Sequence, residues 1–474
     1  MNLNLSENLI FKKTYIIGVG ILLFLIVWSI SSCRDDSFIT DSDAKLSFNT
    51  DTVLFDTLFT KLGSATRSFM VYNNHDKSIK ISSIHLAGGN NSPYRINIDG
   101  DPSYEIEDYT LLPNDSIYIF VDVNIDPNAS NLPYIVKDSI VFITNGNIQD
   151  IKLMAWGQNA HFLSDSMLVG DIVWTDDLPY VISNHIGIDE NSKLTIMPGV
   201  KVFSDNWSAI FVWGTLEILG DTNNPVYFQG VRPEEYYKNI PGQWWGIHFI
   251  RESKNNYIRN CYIRNGTIGI TVDSLPINPP NPNLVLENVR IENMTMYGIL
   301  GRSAYIRAFN TLINNCCQYL LIADLGGTYE FYHSTFAHYG RYCTSRYPAL
   351  AFYNYDNKIY KNDLNVTIAN SIIWGAKEEE LEMKKTGNGE FNVLISHCLI
   401  SSKNAGLDIN NNIRNKDPGF ISPYDYNFRP DSVAIIVNKG DPSYLTQFTI
   451  LQNDMEGKSR VDQKPDLGVY EREN

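Results

Sequence analysis

Six segments between residues 258 and 400 share one template: apolar, any residue, a polar amide or imidazole, a small residue, any residue, apolar. They are Ile258-Arg-Asn-Cys-Tyr-Ile263, Leu286-Glu-Asn-Val-Arg-Ile291, Ala308-Phe-Asn-Thr-Leu-Ile313, Phe331-Tyr-His-Ser-Thr-Phe336, Ile368-Ala-Asn-Ser-Ile-Ile373 and Ile395-Ser-His-Cys-Leu-Ile400. Their third positions, Asn260, Asn288, Asn310, His333, Asn370 and His397, recur after 28, 22, 23, 37 and 27 residues. A base period in the low twenties with insertions predicts a β-solenoid, in which each coil buries its apolar face against the next. Within a segment the first apolar residue and the amide share one parity and the last apolar residue has the other. One inward face therefore requires a one-residue bend at the amide, and Asn tolerates the left-handed conformation such a bend needs. Stacked coils then place these side chains above one another as a hydrogen-bonded ladder. Because His333 and His397 occupy the same column, they are read as polar ladder members and not as catalytic groups.

Upstream the rhythm differs. From Leu46 to about Ala160, short alternating strands such as Arg67-Ser-Phe-Met-Val-Tyr72 and Ser116-Ile-Tyr-Ile-Phe-Val-Asp-Val123 are separated by turn clusters such as Asn145-Gly146, the pattern of an antiparallel β-sandwich. The segment resembles the immunoglobulin-like modules of Bacteroidota surface proteins. After Ala160 come Leu194-Thr-Ile-Met-Pro-Gly199, Gly214-Thr-Leu-Glu-Ile-Leu-Gly220 and Trp245-Gly-Ile-His-Phe249, with no helical period long enough for a βαβ crossover. These resemble the opening coils of right-handed parallel β-helix proteins. Asp417-Pro-Gly-Phe420, Asp454-Met-Glu-Gly-Lys-Ser-Arg460 and Asp466-Leu-Gly-Val-Tyr-Glu471 resemble the closing segment of the choice-of-anchor Q type, with the middle element degraded at 432–440. Their acids would suit calcium, but the expected role is to cap an open sheet edge, and no cofactor or metal is expected.

The N-terminus sets the address. Lys12 and Lys13 precede an apolar run from Tyr15 to Ile30 that ends in Ser31, Ser32 and Cys33, the order of a secretory signal. Ile30-Ser-Ser-Cys33 resembles the lipobox of bacterial lipoproteins, and Arg34-Asp35-Asp36 resembles the surface-export signal of the Bacteroidota. The resemblance implies cleavage before Cys33, acylation of its thiol, and a protein held on the outer membrane by lipid, facing the cell exterior. The competing reading is an uncleaved signal anchor. The expected organisation is all-β: signal peptide 1–32, lipid-anchored tether 33–45, immunoglobulin-like sandwich 46–160, right-handed parallel β-helix 161–430 and closing segment 431–474.

Composition excludes whole classes of function. With 43% hydrophobic, 12% aromatic and 19% charged residues the chain is not disordered. A formal charge of −15 opposes nucleic acid and anionic lipid surfaces. Beyond Cys33 the cysteines are Cys261, Cys316, Cys317, Cys343 and Cys398, without CxxC spacing, so no zinc site is expected. Most read as core residues, and a disulfide involving Cys343 is allowed in an oxidising compartment.

The chemistry is less legible. Polygalacturonase-like enzymes carry N-T-D, D-D, G-H-G and R-I-K in order; here Asn49-Thr-Asp51 lies in the wrong domain and the last two motifs are absent. Pectate-lyase signatures are not matched either. Asp273, Glu287, Glu292, Arg302, Asp324, Glu234, Glu235 and His248 form no recognisable catalytic set, so no catalytic residue is assigned. Aromatics form two groups, Tyr236, Tyr237, Trp244 and Trp245, the candidate ligand contacts, and Tyr339 to Tyr355; rings on a solenoid flank either stack on sugars or pack an uncovered flank. Lys377 to Lys385 reads as a solvated helical excursion. The expected function is a non-catalytic binding or adhesion module for glycans or surface proteins. The alternative is a polysaccharide lyase or glycoside hydrolase on the β-helix flank.

Overall fold

The computed structural model describes residues 37–472 apart from 128–132, 233, 275–279, 341, 343–345, 357–359 and 462–463. The signal segment, Cys33 and Cys343 lie outside the described residues. The chain is all-β and divides into two compact units, Met1–Asp126 with Tyr134–Gly157, and Pro127–Pro133 with Gln158–Asn474.

In the first unit the period-2 alternation becomes two antiparallel sheets. One has the order Ser47–Phe48, Arg67–Asn73, Asp115–Val123, Tyr94–Ile98; the other runs Thr52–Phe59, Asn147–Gln158, Tyr134–Thr144, Ile79–Leu86, Glu105–Leu111. Along Asp115–Val123, Ile117, Ile119, Val121 and Val123 point into a core shared with Ile81 and Phe142 of the other sheet. Each such side chain contributes about 2 kcal/mol by leaving water. Tyr94 crosses between the sheets, its hydroxyl donating to Val136 O at 2.8 Å.

The second unit is dominated by a 23-stranded sheet whose register pairs are parallel, most strands bonding to strands two or three further along the chain, with two small antiparallel pairs outside it. The repeat template appears directly in its register. The first template position forms one buried column with two upstream rungs: Ile196, Ile218, Ile258, Leu286, Ala308, Phe331, Ile368 and Ile395 are successive Cα partners. The last position forms another, Ile263, Ile291, Ile313, Phe336, Ile373 and Ile400. Between them Asn260, Asn288, Asn310, His333, Asn370 and His397 all have φ between 45° and 54°, the left-handed bend that turns the second half of each segment inward. Asn288 Nδ2 donates to Asn260 Oδ1 (3.2 Å) and Asn310 Nδ2 to Asn288 Oδ1 (2.9 Å). Asn310 Oδ1 accepts from Arg460 Nη1 (2.8 Å), and a separate pair follows, Asn370 Nδ2 with His333 Nε2 at 2.8 Å. His397 Nε2 lies 2.9 Å from Asn411 Nδ2. Burial and the charge of Arg460 push the His333 pKa well down, so the imidazole is neutral and accepts.

Two expectations need correction. Leu381–Lys384 is a strand paired with Leu350–Tyr353, not a helical excursion; a parallel stack offers its backbone partners that charge pairing on a short isolated helix does not match. The closing segment covers a lateral face of the stack. Its Met455 and Val469, with Phe428 just before it, pack on Leu312 and Ala337, its Leu445 and Leu451 on Phe309, Tyr332 and Ala369, and its Ala434 and Leu467 on Ile372 and Leu399. These outward apolar positions on successive rungs need cover more than the sheet edge does.

Cys261, Cys316 and Cys398 are free and fully buried, and Cys317 is disulfide-bonded.

Candidate functional site

Register brings together aromatic residues far apart in sequence. The segments 205–208, 231–245, 265–267, 293–296, 315–320, 339–349 and 376–380 all link the same pair of strand positions in successive turns, so they stack at one corner. Parallel rungs are about 4.8 Å apart. Trp245 N donates to Ser208 O (2.8 Å) and Ile268 N to Trp245 O (3.1 Å); Ile268 in turn pairs with Tyr297. Gly298 N then bonds to Tyr319 O, placing Tyr319 on the next rung. The rings follow this order: Trp207 to Trp245 5.8 Å, Tyr297 to Tyr319 6.0 Å, Tyr319 to Tyr347 5.0 Å between centroids. Members of both aromatic groups, Tyr236, Tyr237 and Trp245 of the first and Tyr347 of the second, therefore lie in segments that stack at one corner.

The individual residues differ in access. Tyr236 is 75% exposed, and Tyr237 and Trp245 are half-buried. Tyr237 carries the Arg232 guanidinium 4.2 Å from its ring centre. Trp244 is not a surface aromatic: it is 1% exposed, stacks on Phe228 and donates its indole N–H to Arg264 O (2.9 Å), so it belongs to the core. Trp244 and Trp245 lie just before the strand Gly246–Phe249, and adjacent residues of such a backbone face opposite sides. Trp207 is the residue sequence reasoning missed. It is 65% exposed and sits at φ 66°, a conformation that costs a bulky side chain about 1–2 kcal/mol. The signal in the sequence was the turn Asp205-Asn-Trp-Ser208, where Asn206, one residue earlier, would have taken that conformation more cheaply.

Beside the stripe runs a charged row. Asp273, Arg302 and Asp324 are successive Cα partners, with Arg302 Nη1 3.4 Å from Asp273 and Arg302 Nε 3.5 Å from Asp324. Tyr353, whose strand pairs with that of Asp324, is partnered by Lys384, which is ion-paired to Glu382. Tyr319 and Tyr353 hydroxyls are 3.4 Å apart. Burial, neighbouring phenols and Asp324 raise the Tyr297 pKa, keeping its hydroxyl a donor. The guanidinium lies between the two aspartates and engages both.

The remaining candidates are committed elsewhere. His248 is buried, and burial together with His185 pushes its pKa down to about 4. Glu292 pairs with Arg290 at 2.6 Å, Glu234 with Arg232 at 2.9 Å and Glu235 with Lys238 at 3.2 Å. A second, polar cavity of about 550 Å³ lies between Asp221, Arg259 and Glu287 on the coils and Thr449, Ile450 and Asn453 on the closing segment. Glu287 accepts the Tyr257 hydroxyl. Asp221 closes its own turn through Asn224 N (2.7 Å) and Asn223 N (2.8 Å), and these donors, with Arg259, hold its pKa below the usual range. The closing-segment acids likewise face backbone donors: Asp454 accepts from Glu456, Lys458 and Glu471 N, and Asp466 from Asn438 and Arg472 N. Oxygens satisfied in this way do not form a calcium cage, and among the described residues no three His, Cys, Asp or Glu converge as a metal site.

Glu380, at the far end of the corner, is 1% exposed and accepts from Ala349 N (2.7 Å) and Lys377 N (2.9 Å). Burial pushes its pKa up to about 7 despite these donors. The folded state thus holds a proton that the unfolded chain releases above its ordinary value of 4.5. The associated stability is complete below pH 4.5 and lost as pH rises to about 7. Glu380→Gln stays neutral throughout, so its stability relative to the parent should rise by about 2–3 kcal/mol between pH 4.5 and 7.5 in urea titrations. A pH-independent difference would refute the assignment.

No family model and no curated protein matches the sequence. Similar solved structures include a family 123 glycoside hydrolase from Clostridium perfringens (10% identity, 24% of this chain and 26% of that one, TM-score 0.18). Others are the alkylpurine DNA glycosylase AlkC of Pseudomonas fluorescens bound to DNA containing an abasic site analog (11%, 24% and 31%, 0.16) and the ASH/PapD-like domain 7 of human CEP192 (8%, 27% and 91%, 0.17). The chain spans less than a third of the first two, and none of these likenesses carries an argument about fold or function.

Proposed function

We propose that this chain is a bacterial surface lipoprotein, anchored in the outer membrane through acylated Cys33, in which an immunoglobulin-like sandwich precedes a right-handed parallel β-helix that binds glycans without cleaving them. The β-helix reading is supported by parallel pairing along the 23-stranded sheet, mostly between strands two or three apart. The observation that carries the binding reading is the aromatic corner, where Trp207 and Trp245 lie on adjacent rungs and, past Ile268, Tyr297 and the exposed Tyr347 flank the buried Tyr319. Aromatic faces with hydroxyl and carboxylate neighbours match the apolar faces and polar rims of sugar rings. Polysaccharide cleavage is the alternative, favoured by the meeting of Asp221, Arg259 and Glu287 in one cavity.

A glycan array followed by product analysis separates the two readings, with binding and unaltered glycans expected. Shortened or unsaturated products would instead establish the enzyme. The anchor is tested in cells: Cys33→Ala should move the chain from the membrane to the soluble fraction and abolish labelling by radioactive palmitate. Continued membrane association would refute lipidation.

A further inference from the structure

We infer that the aromatic corner takes an uncharged polysaccharide laid along the coil axis and rejects polyuronates and sulfated glycans; this rests on the glycan-binding reading above. The first support is extent. From Trp207 to Tyr347 the stripe crosses five rung steps, about 24 Å, enough for several sugar rings in a row and far more than one ring needs. The second is charge. An anionic polymer needs free cations at regular spacing, whereas most of the basic groups described along this corner are matched within the chain, Arg346 and Lys377 apart. Arg232 is paired to Glu234, Lys238 to Glu235, Arg302 to both Asp273 and Asp324, and Lys384 to Glu382. In the row beside the stripe, Asp273, Asp324 and Glu382 stand against Arg302 and Lys384, so its field is negative. A uronate or sulfate laid there would meet carboxylates and would have to break existing ion pairs. The hydroxyls of a neutral sugar would instead find acceptors in Asp273 and Asp324 and donors in the protonated phenols of Tyr297 and Tyr353.

The third support is Trp207 itself. An indole that is 65% exposed on a φ of 66° gains little from the fold, and its ring extends the platform begun by Trp245. Trp207→Gly removes the ring and relaxes the backbone together, so loss of binding with an unchanged melting temperature separates a ligand contact from a structural one.

The test is affinity electrophoresis and calorimetry of the full-length chain in detergent, with laminarin, yeast mannan and xyloglucan as neutral probes and polygalacturonate and chondroitin sulfate as anionic ones. At least one neutral polymer should bind, weakened roughly tenfold by Trp207→Gly and by Tyr347→Ala, and the anionic polymers should not. Binding of an anionic polymer that is lost in Trp207→Gly, or in a variant of the exposed Arg346 beside Tyr347, would overturn the inference and leave the glycan-binding reading standing. Neutral binding indifferent to both aromatic variants would overturn it by placing the site elsewhere. Silence with every polymer would remove the glycan-binding reading and the inference together.

Discussion

Arg460→Met is expected to destabilise the second unit by about 3–5 kcal/mol. Arg460 is fully buried and donates to Asn310 Oδ1 (2.8 Å), Asn453 O (2.8 Å), Gly468 O (3.0 Å) and Glu471 (3.2 Å). Removing the guanidinium leaves Glu471, itself raised to about 7 by burial and by Asp466, without its cation, and leaves several oxygens unsatisfied. The closing segment should then detach from the stack, exposing Leu312, Phe309, Tyr332 and Ile372 to water. Urea unfolding should show the loss directly, with increased dye binding to apolar surface at low denaturant. Arg460→Lys keeps the charge but not the planar fork, so only part of the stability should return. If Arg460→Met unfolds like the parent, the clasp is not what holds the segment down.

Gly246→Ala should cost about 3 kcal/mol or more. Gly246 adopts φ 129°, and a Cβ there would stand 1.8 Å from Ile268 O on the next rung, a backbone atom that cannot swing away. The two rungs must separate, and with them goes the bond from Ile268 N to Trp245 O that stacks the corner. Stability and glycan binding should therefore fall together in this variant, in contrast to Trp207→Gly, where binding alone should fall. A Gly246→Ala protein with parental unfolding and parental binding would show that the corner tolerates a shift of the rungs and does not depend on this glycine.

Much of the architecture was legible because it is periodic. The template repeat predicts both apolar columns and the bend between them, since inward packing on either side of Asn260 demands a parity change that the Asn backbone accommodates. Short alternating strands likewise predict two antiparallel sheets around Ile119 and Phe142. The candidate site was legible only in pieces. Tyr236, Tyr237 and Trp245 stood out as one cluster and Tyr347 and Tyr353 as another, but nothing in their spacing says that both insertions leave the stack at the same corner. Trp244 was misplaced because clustering ignores which way each residue faces. Trp207 was passed over because a lone tryptophan in a turn gives no pattern. The helical reading of 377–385 failed because local charge pairing, worth a few tenths of a kcal/mol per pair, lost to a ready-made parallel partner.

The sequence by itself determined what repeats: an all-β chain, the apolar columns and the left-handed bend at each amide. Only the tertiary structure decided what meets across repeats: Trp207 beside Trp245, Tyr297 beside Tyr319 and Tyr347, Arg302 between two aspartates, and Arg460 under Asn310. The physical reason is that register converts sequence separations of about 20 to 40 residues into one rung of about 4.8 Å. A period can be read along the chain, but insertions of unequal length hide which outward side chains that register will stack.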